Sequence, residues 1–193
     1  MRHTSLLLAL LAASCGLAGT SSWAHGSAAS YPAPAAIAVK GSLSAPPAGV
    51  TDLKFREMFK LPIGPKGLEL GDKMTSLAGQ KVRMVGYMVA QDAATPGQFI
   101  LSPLPVEVGD EDESLSDDLP ASSVFVHAAP GAAQRDIPHL RGLISVIGTL
   151  RVGARDEAGG RVSSFQLELD DNTSKLFTDA VPGARTTLAE QAR

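Results

Sequence analysis

His25, His127 and His139 are the residues of this chain with the clearest capacity for metal chemistry. If a signal peptidase cuts after Ala24, His25 opens the mature protein. An α-amine and an imidazole on one residue chelate copper, and Met84 and Met88 add softer ligands. No His-x-His or His-x₃-His spacing links these residues, so two readings stand. One is a copper or zinc site built from His25 with His127 and His139. The other has both methionines packed in the core and the histidines in ordinary structural roles.

A second constellation is acidic. Glu107, Asp110, Glu111, Asp112, Glu113, Asp117 and Asp118 bring seven carboxylates into one short stretch. Clustered oxygens hold hard cations, but Ala121 stands where a calcium loop beginning at Asp110 needs its closing glutamate. The stretch therefore reads as a solvated loop, as an acidic surface for a partner that includes Asp117 and Asp118, or as a cation site. Ser122, Ser123, His127 and Asp136 supply the residue types of a hydrolase. They lack the strained nucleophile turn that such chemistry requires, so catalysis is not expected.

The elements that must position these residues follow from composition and patterning. Arg2 and His3 precede the apolar run Leu6–Ala13, and Ser22-Trp23-Ala24 places small residues where a signal peptidase reads. Residues 1–24 thus read as an export signal, too interrupted by glycine and serine to span a membrane. The expected location is the periplasm or the exterior. Ala12-Ala13-Ser14-Cys15 offers an alternative, a lipid anchor on Cys15. Cleavage after Ala24 instead removes the only cysteine, and disulfide and thiolate chemistry with it. Loss of Arg2 shifts the formal net charge from −3 to −4, which leaves no basic surplus for nucleic acid.

Residues 25–50, rich in Ala, Ser, Pro and Gly, read as a flexible tether. Residues 51–76 are expected to hold a helical turn around Leu53, Phe55, Met58 and Phe59, then an ordered loop packing Ile63 and Leu68 on the main domain. Residues 77–170 form that domain. Val82-x-Met84-x-Gly86-x-Met88 and Ile144-x-Val146-x-Gly148-x-Leu150-x-Val152 share one pattern, an apolar alternation with glycine on the apolar face. Strands that bend around a small barrel read this way. Strands are predicted at 81–90, 98–102, 123–128, 143–152 and 161–169, the first two as a hairpin, with at most a short helix at 132–140.

Three strands, a short helical connection and two more strands predict a mainly β fold, a small five-stranded OB-like barrel. An antiparallel sandwich is the alternative. Arg83, Tyr87 and His127 are expected on its outer face as a binding surface, while Asp156 and Glu157 read as turn residues. Residues 171–193 read as a polar tail with a loose helix from Thr187.

The segments 77–89, Phe99–Pro103, Asp118-Leu119-Pro120 with Val124–Val126, and Gly148-Thr149-Leu150 resemble an uncharacterised family of secreted bacterial proteins, known only as a domain of unknown function. The resemblance covers about half of the chain. It implies a small OB-like barrel and a setting beside ABC-type transport systems linked to metal supply. The family's cysteine and histidine after the second strand are absent here, where Val106–Leu119 stands instead, so a metal role does not carry over. The expectation from residues and resemblance together is binding to an envelope protein, with metal binding and hydrolysis as the alternatives.

Overall fold

Alternation decides which side chains form the interior. Val82, Met84, Met88, Ile144, Val146 and Leu150 are each at most 4% exposed and share one core with Val124, Val126, Phe165 and Leu167. Both methionines pack as core residues. The computed structural model describes residues 29–108, 119–158 and 160–180. In chain order its strands are β1 (Ser30–Pro32), β2 (Thr51–Asp52), β3 (Lys81–Met88), β4 (Ala90–Gln91), β5 (Gln98–Ser102), β6 (Glu107–Val108), β7 (Val124–His127), β8 (His139–Arg141), β9 (Leu143–Asp156) and β10 (Val162–Glu168). Two helices, α1 (Asp72–Ser76) and α2 (Asp171–Thr178), and 3₁₀ turns at Phe55–Glu57 and Pro130–Ala132 complete the mainly β architecture. Among the described residues no helix is long and apolar enough to cross a membrane.

The principal sheet has the order β2-β3-β5-β7-β10-β9, and β9 also pairs with β3. The predicted hairpin is present, with Tyr87 opposite Ser102 and Met88 opposite Leu101. Gly86 and Gly148 mark close backbone approaches. A Cβ on Gly86 would stand 2.6 Å from the Ser102 carbonyl oxygen, and one on Gly148 2.9 Å from that of Glu168. β7 and β10 run parallel, whereas β9 is antiparallel to both of its neighbours.

Three expectations are corrected by the packing. The described part of the tether, residues 29–50, lies against the sheet: β1 pairs with β8, Ala38 bridges Ile144, and Ile37 is 4% exposed. Main-chain hydrogen bonds hold it, including Val39 N–H to the Leu143 carbonyl and Ser145 N–H to that of Ile37. An Ala/Pro-rich sequence does not display such bonds. Residues 171–180 are not a loose tail, because α2 buries Phe177 completely. Asp170 accepts a hydrogen bond from Thr173 N–H and caps this helix. Ile63 and Leu68 do not pack on the sheet either; they are 60% and 49% exposed. The predicted signal, Cys15 and the helix from Thr187 lie outside the described residues.

Candidate functional site

Strand alternation sets Gln98, Ile100, Phe125, His127 and Gln166 on the face opposite the main core. One end of this face is apolar, where Ile100 and Phe125 meet Val89 and Val108 in a second cluster. The other end is polar. There the turn after β9 is closed by Glu157 N–H on the Arg161 carbonyl and folds the Glu157 side chain inward until it is 2% exposed.

Glu157 is held from three sides. Its Oε2 accepts from the Gln98 amide at 2.9 Å, and its Oε1 accepts from Ser163 Oγ at 2.5 Å. His127 Nε2 lies 3.3 Å from the same Oε1. Gln166 donates to Ser163 Oγ at 2.7 Å and to the Gly153 carbonyl at 3.0 Å, which extends the network over β9 and β10. Serine, histidine and a carboxylate therefore meet, but in the wrong order for a nucleophile. In a hydrolytic triad the imidazole stands between hydroxyl and carboxylate; here the carboxylate stands between the other two and itself accepts the serine's hydrogen bond.

Burial lowers the His127 pKa below its ordinary value, and the nearby Arg155 adds to that, against an opposing pull from Glu157 and Glu168. The folded state thus prefers neutral His127. The unfolded chain takes up its proton near pH 6.5, so stability is full above that pH and falls as the pH drops toward the lower, folded value. Asp52, Glu57 and Asp170 are held below the usual carboxylate range, the first two chiefly by Arg83 and Lys73 and the third by Thr173. Their contribution is lost only below about pH 4. Urea midpoints at pH 7 and pH 5 should therefore show a loss that is smaller in His127→Gln, whereas equal losses would place His127 outside the network.

The other predicted residues separate. Arg83 is not on an open surface: it is 5% exposed and forms a two-pronged ion pair with Asp52 at 2.6 and 3.0 Å. Its Nη2 also donates to the Ser44 carbonyl. The cause is β2, which sets Asp52 directly opposite Arg83 and covers that part of β3. Tyr87 and His139 line a different groove, of about 280 Å³, with Met88, Glu107 and Arg141. His139 donates from Nε2 to the Met88 carbonyl at 3.1 Å and accepts from Ser30 Oγ at Nδ1. His139 thus contacts the end of β3, whereas His127 pairs with Gln98 at the start of β5. Among the described residues no group of three or more His, Cys, Asp or Glu is placed to hold a metal. His25, Asp117 and Asp118 lie outside them.

A feature the sequence reading assigned to packing is the most exposed apolar element. Phe59 bridges Leu70, and Lys60 N–H donates to the Glu69 carbonyl. The turn Gly64-Pro65-Lys66-Gly67 then closes a small hairpin, with Gly67 at φ +84. Its base is fixed by buried Met58 and by Phe59, which meets Phe165 edge-on at 5.7 Å. Beyond the base, Leu61, Ile63, Leu68 and Leu70 are 68, 60, 49 and 37% exposed. They are half of the eight large apolar side chains exposed among the described residues. These side chains thus form one exposed apolar patch and are not scattered singly.

No protein-family model matches this chain, and no curated protein does. Among solved structures it is similar to a DUF3299 family protein from Pseudomonas aeruginosa PAO1. The identity is 11%, the match covers 63% of this chain and 93% of that one, and the TM-score is 0.36. A likeness of this degree fixes neither the fold nor the activity of the chain.

Proposed function

We propose that this chain is a non-catalytic binding or adaptor protein of the cell envelope, exported through residues 1–24 and docked on a protein partner, with an ABC-type transport system as its setting. The observation that carries this reading is the hairpin at 60–70, which holds four apolar side chains away from the core on a well-anchored base. The scaffold is an OB-like barrel. Its support is the ring of pairings from β3 through β5, β7, β10 and β9 back to β3, with β7 and β10 as the parallel pair. The order of Ser163, Glu157 and His127 supports the non-catalytic part, since the serine hydroxyl donates to the buried carboxylate and not to the histidine that would have to serve as its base.

The test is a Leu61→Asp, Ile63→Asp variant. Both positions are exposed, so its stability should stay within about 0.5 kcal/mol of the parent. In mild-detergent extracts of the envelope, the parent should elute in a larger complex and the variant at the size of the free chain. Elution of both at the size of the free chain would count against the adaptor reading.

A further inference from the structure

The charges of the hairpin at 60–70 are unevenly placed. Lys60 and Glu69 stand at its base, where Lys60 N–H donates to the Glu69 carbonyl and the Lys60 side chain pairs with Asp72 at 3.2 Å. Beyond them the chain runs Leu61-Pro62-Ile63-Gly64-Pro65-Lys66-Gly67-Leu68, and Lys66 is its single charged residue. The bridge between Gly64 and Gly67 sets Ile63 and Leu68 on facing arms, directly behind the turn that holds Lys66. Lys66 is exposed and pairs with no carboxylate among the described residues. The end of the hairpin therefore combines three exposed aliphatic side chains, those of Leu61, Ile63 and Leu68, with one unneutralised cation.

This end is also presented in a fixed form. Pro62 and Pro65 restrict the backbone on the way into the turn, and Gly67 N–H closes it on the Gly64 carbonyl at 3.0 Å. Little freedom is left to lose on docking. Whatever receives this end must cover aliphatic carbon and answer one positive charge. A lipid surface does so poorly. One lysine strengthens attachment to an anionic leaflet by only about fivefold, the hairpin has no tryptophan or tyrosine to seat at that boundary, and the net charge of −3 opposes the approach. A second copy docked end to end would bring Lys66 against Lys66. A protein pocket with an apolar floor and a carboxylate at its rim meets both demands, because the aliphatic contacts exclude water from the ion pair.

We propose that the partner receives Leu61, Ile63 and Leu68 in an apolar pocket, and Lys66 on an aspartate or glutamate at the pocket's rim. This rests on the hairpin being the docking element and adds the chemistry of the partner's site.

The probe is detergent-solubilised envelope, titrated into the whole exported chain carrying a fluorescent label at its C-terminus and read by anisotropy. The amount of envelope that half-saturates the chain should rise about tenfold or more in Lys66→Met, which keeps the aliphatic stem and loses the charge; this is the scale of one charge-assisted hydrogen bond. Lys66→Glu should bind more weakly still, and Lys66→Arg should recover most of the affinity. Raising NaCl from about 50 to about 500 mM should weaken the parent more than Lys66→Met. Equal urea midpoints check that the variants fold as the parent does. Parent-like binding by Lys66→Met and Lys66→Glu, with binding lost in Leu61→Asp, Ile63→Asp, would overturn the carboxylate rim and leave the adaptor reading standing. No saturable binding by the parent would remove the adaptor reading, and the proposal with it. Saturable binding to protein-free vesicles of phosphatidylglycerol and phosphatidylethanolamine would overturn the proposal in favour of a lipid surface. Self-association of the purified chain that is lost in Leu61→Asp, Ile63→Asp would overturn it in favour of a second copy.

Discussion

Gly97→Ala should cost about 4 kcal/mol or more, a large share of the about 5–15 kcal/mol that holds an ordinary domain folded. Gly97 has φ +66, and a Cβ there would lie 2.4 Å from the Ala133 carbonyl oxygen and 2.6 Å from its Cα. Backbone atoms cannot rotate aside as a side chain does. The contact is also pinned by hydrogen bonds, since Gly97 N–H donates to the Arg135 carbonyl at 2.8 Å and Ala128 N–H to the Gly97 carbonyl at 2.8 Å. Relief of the clash must break one of these or shift the whole β7–β8 connection. Gly79 supplies the control. It has a similar φ of +79 but open space around the Cβ position, so Gly79→Ala should lose only the about 1–2 kcal/mol of left-handed strain. Urea unfolding of the two variants separates strain from collision. Equal losses would mean that the segment at 132–135 does not press on Gly97.

Phe177→Ala should destabilise by about 3–5 kcal/mol, the usual cost of deleting a fully buried aromatic ring. Phe177 is wholly buried and tilts against Phe99 with ring centroids 4.9 Å apart. Its helix is tied down at the other end as well. Asp170 caps it and pairs with Lys81 at 3.3 Å, and Ser174 Oγ accepts from Ala129 N–H at 2.8 Å. The neighbouring Leu176 is 39% exposed, so Leu176→Ala should cost less than about 1 kcal/mol. A Phe177→Ala loss no larger than that of Leu176→Ala would show that α2 is not docked on the sheet.

These two positions show what the sequence displayed and what it hid. The first and fourth predicted strands were legible because they keep apolar residues in step with the pleat, as Val82, Met84 and Met88 do, and Gln98–Ser102, apolar on both faces, was legible from the turn at Thr95-Pro96-Gly97 before it and Pro103 after it. α2 was hidden because a single ring, Phe177, anchors an otherwise polar segment. The order at residues 29–50 rests on main-chain bonds to β8 and β9, which leave no mark in side-chain composition. Glu157 was the largest omission at the site. Beside Gly159 and Gly160 it reads as a solvated turn residue, and only the fold over β5 and β7 brings Gln98, His127 and Ser163 around it. No local signal in the sequence distinguishes that outcome. Arg83 misled in the opposite sense, because its cover, Asp52, comes from a strand of two residues. The exposed tip was misread for a related reason. Ile63 and Leu68 have the composition of packing residues, but they flank the turn at 64–67 and stand exposed.

The most direct test of the adaptor reading is a photo-crosslinking residue at position 63 of the exported protein, activated in the intact envelope and compared with the same residue at exposed position 151. A discrete adduct from position 63 that contains one envelope protein, and is absent from position 151, is the expected result. Adducts that are identical at the two positions, or none at position 63, would contradict the claim that this hairpin is where the protein docks.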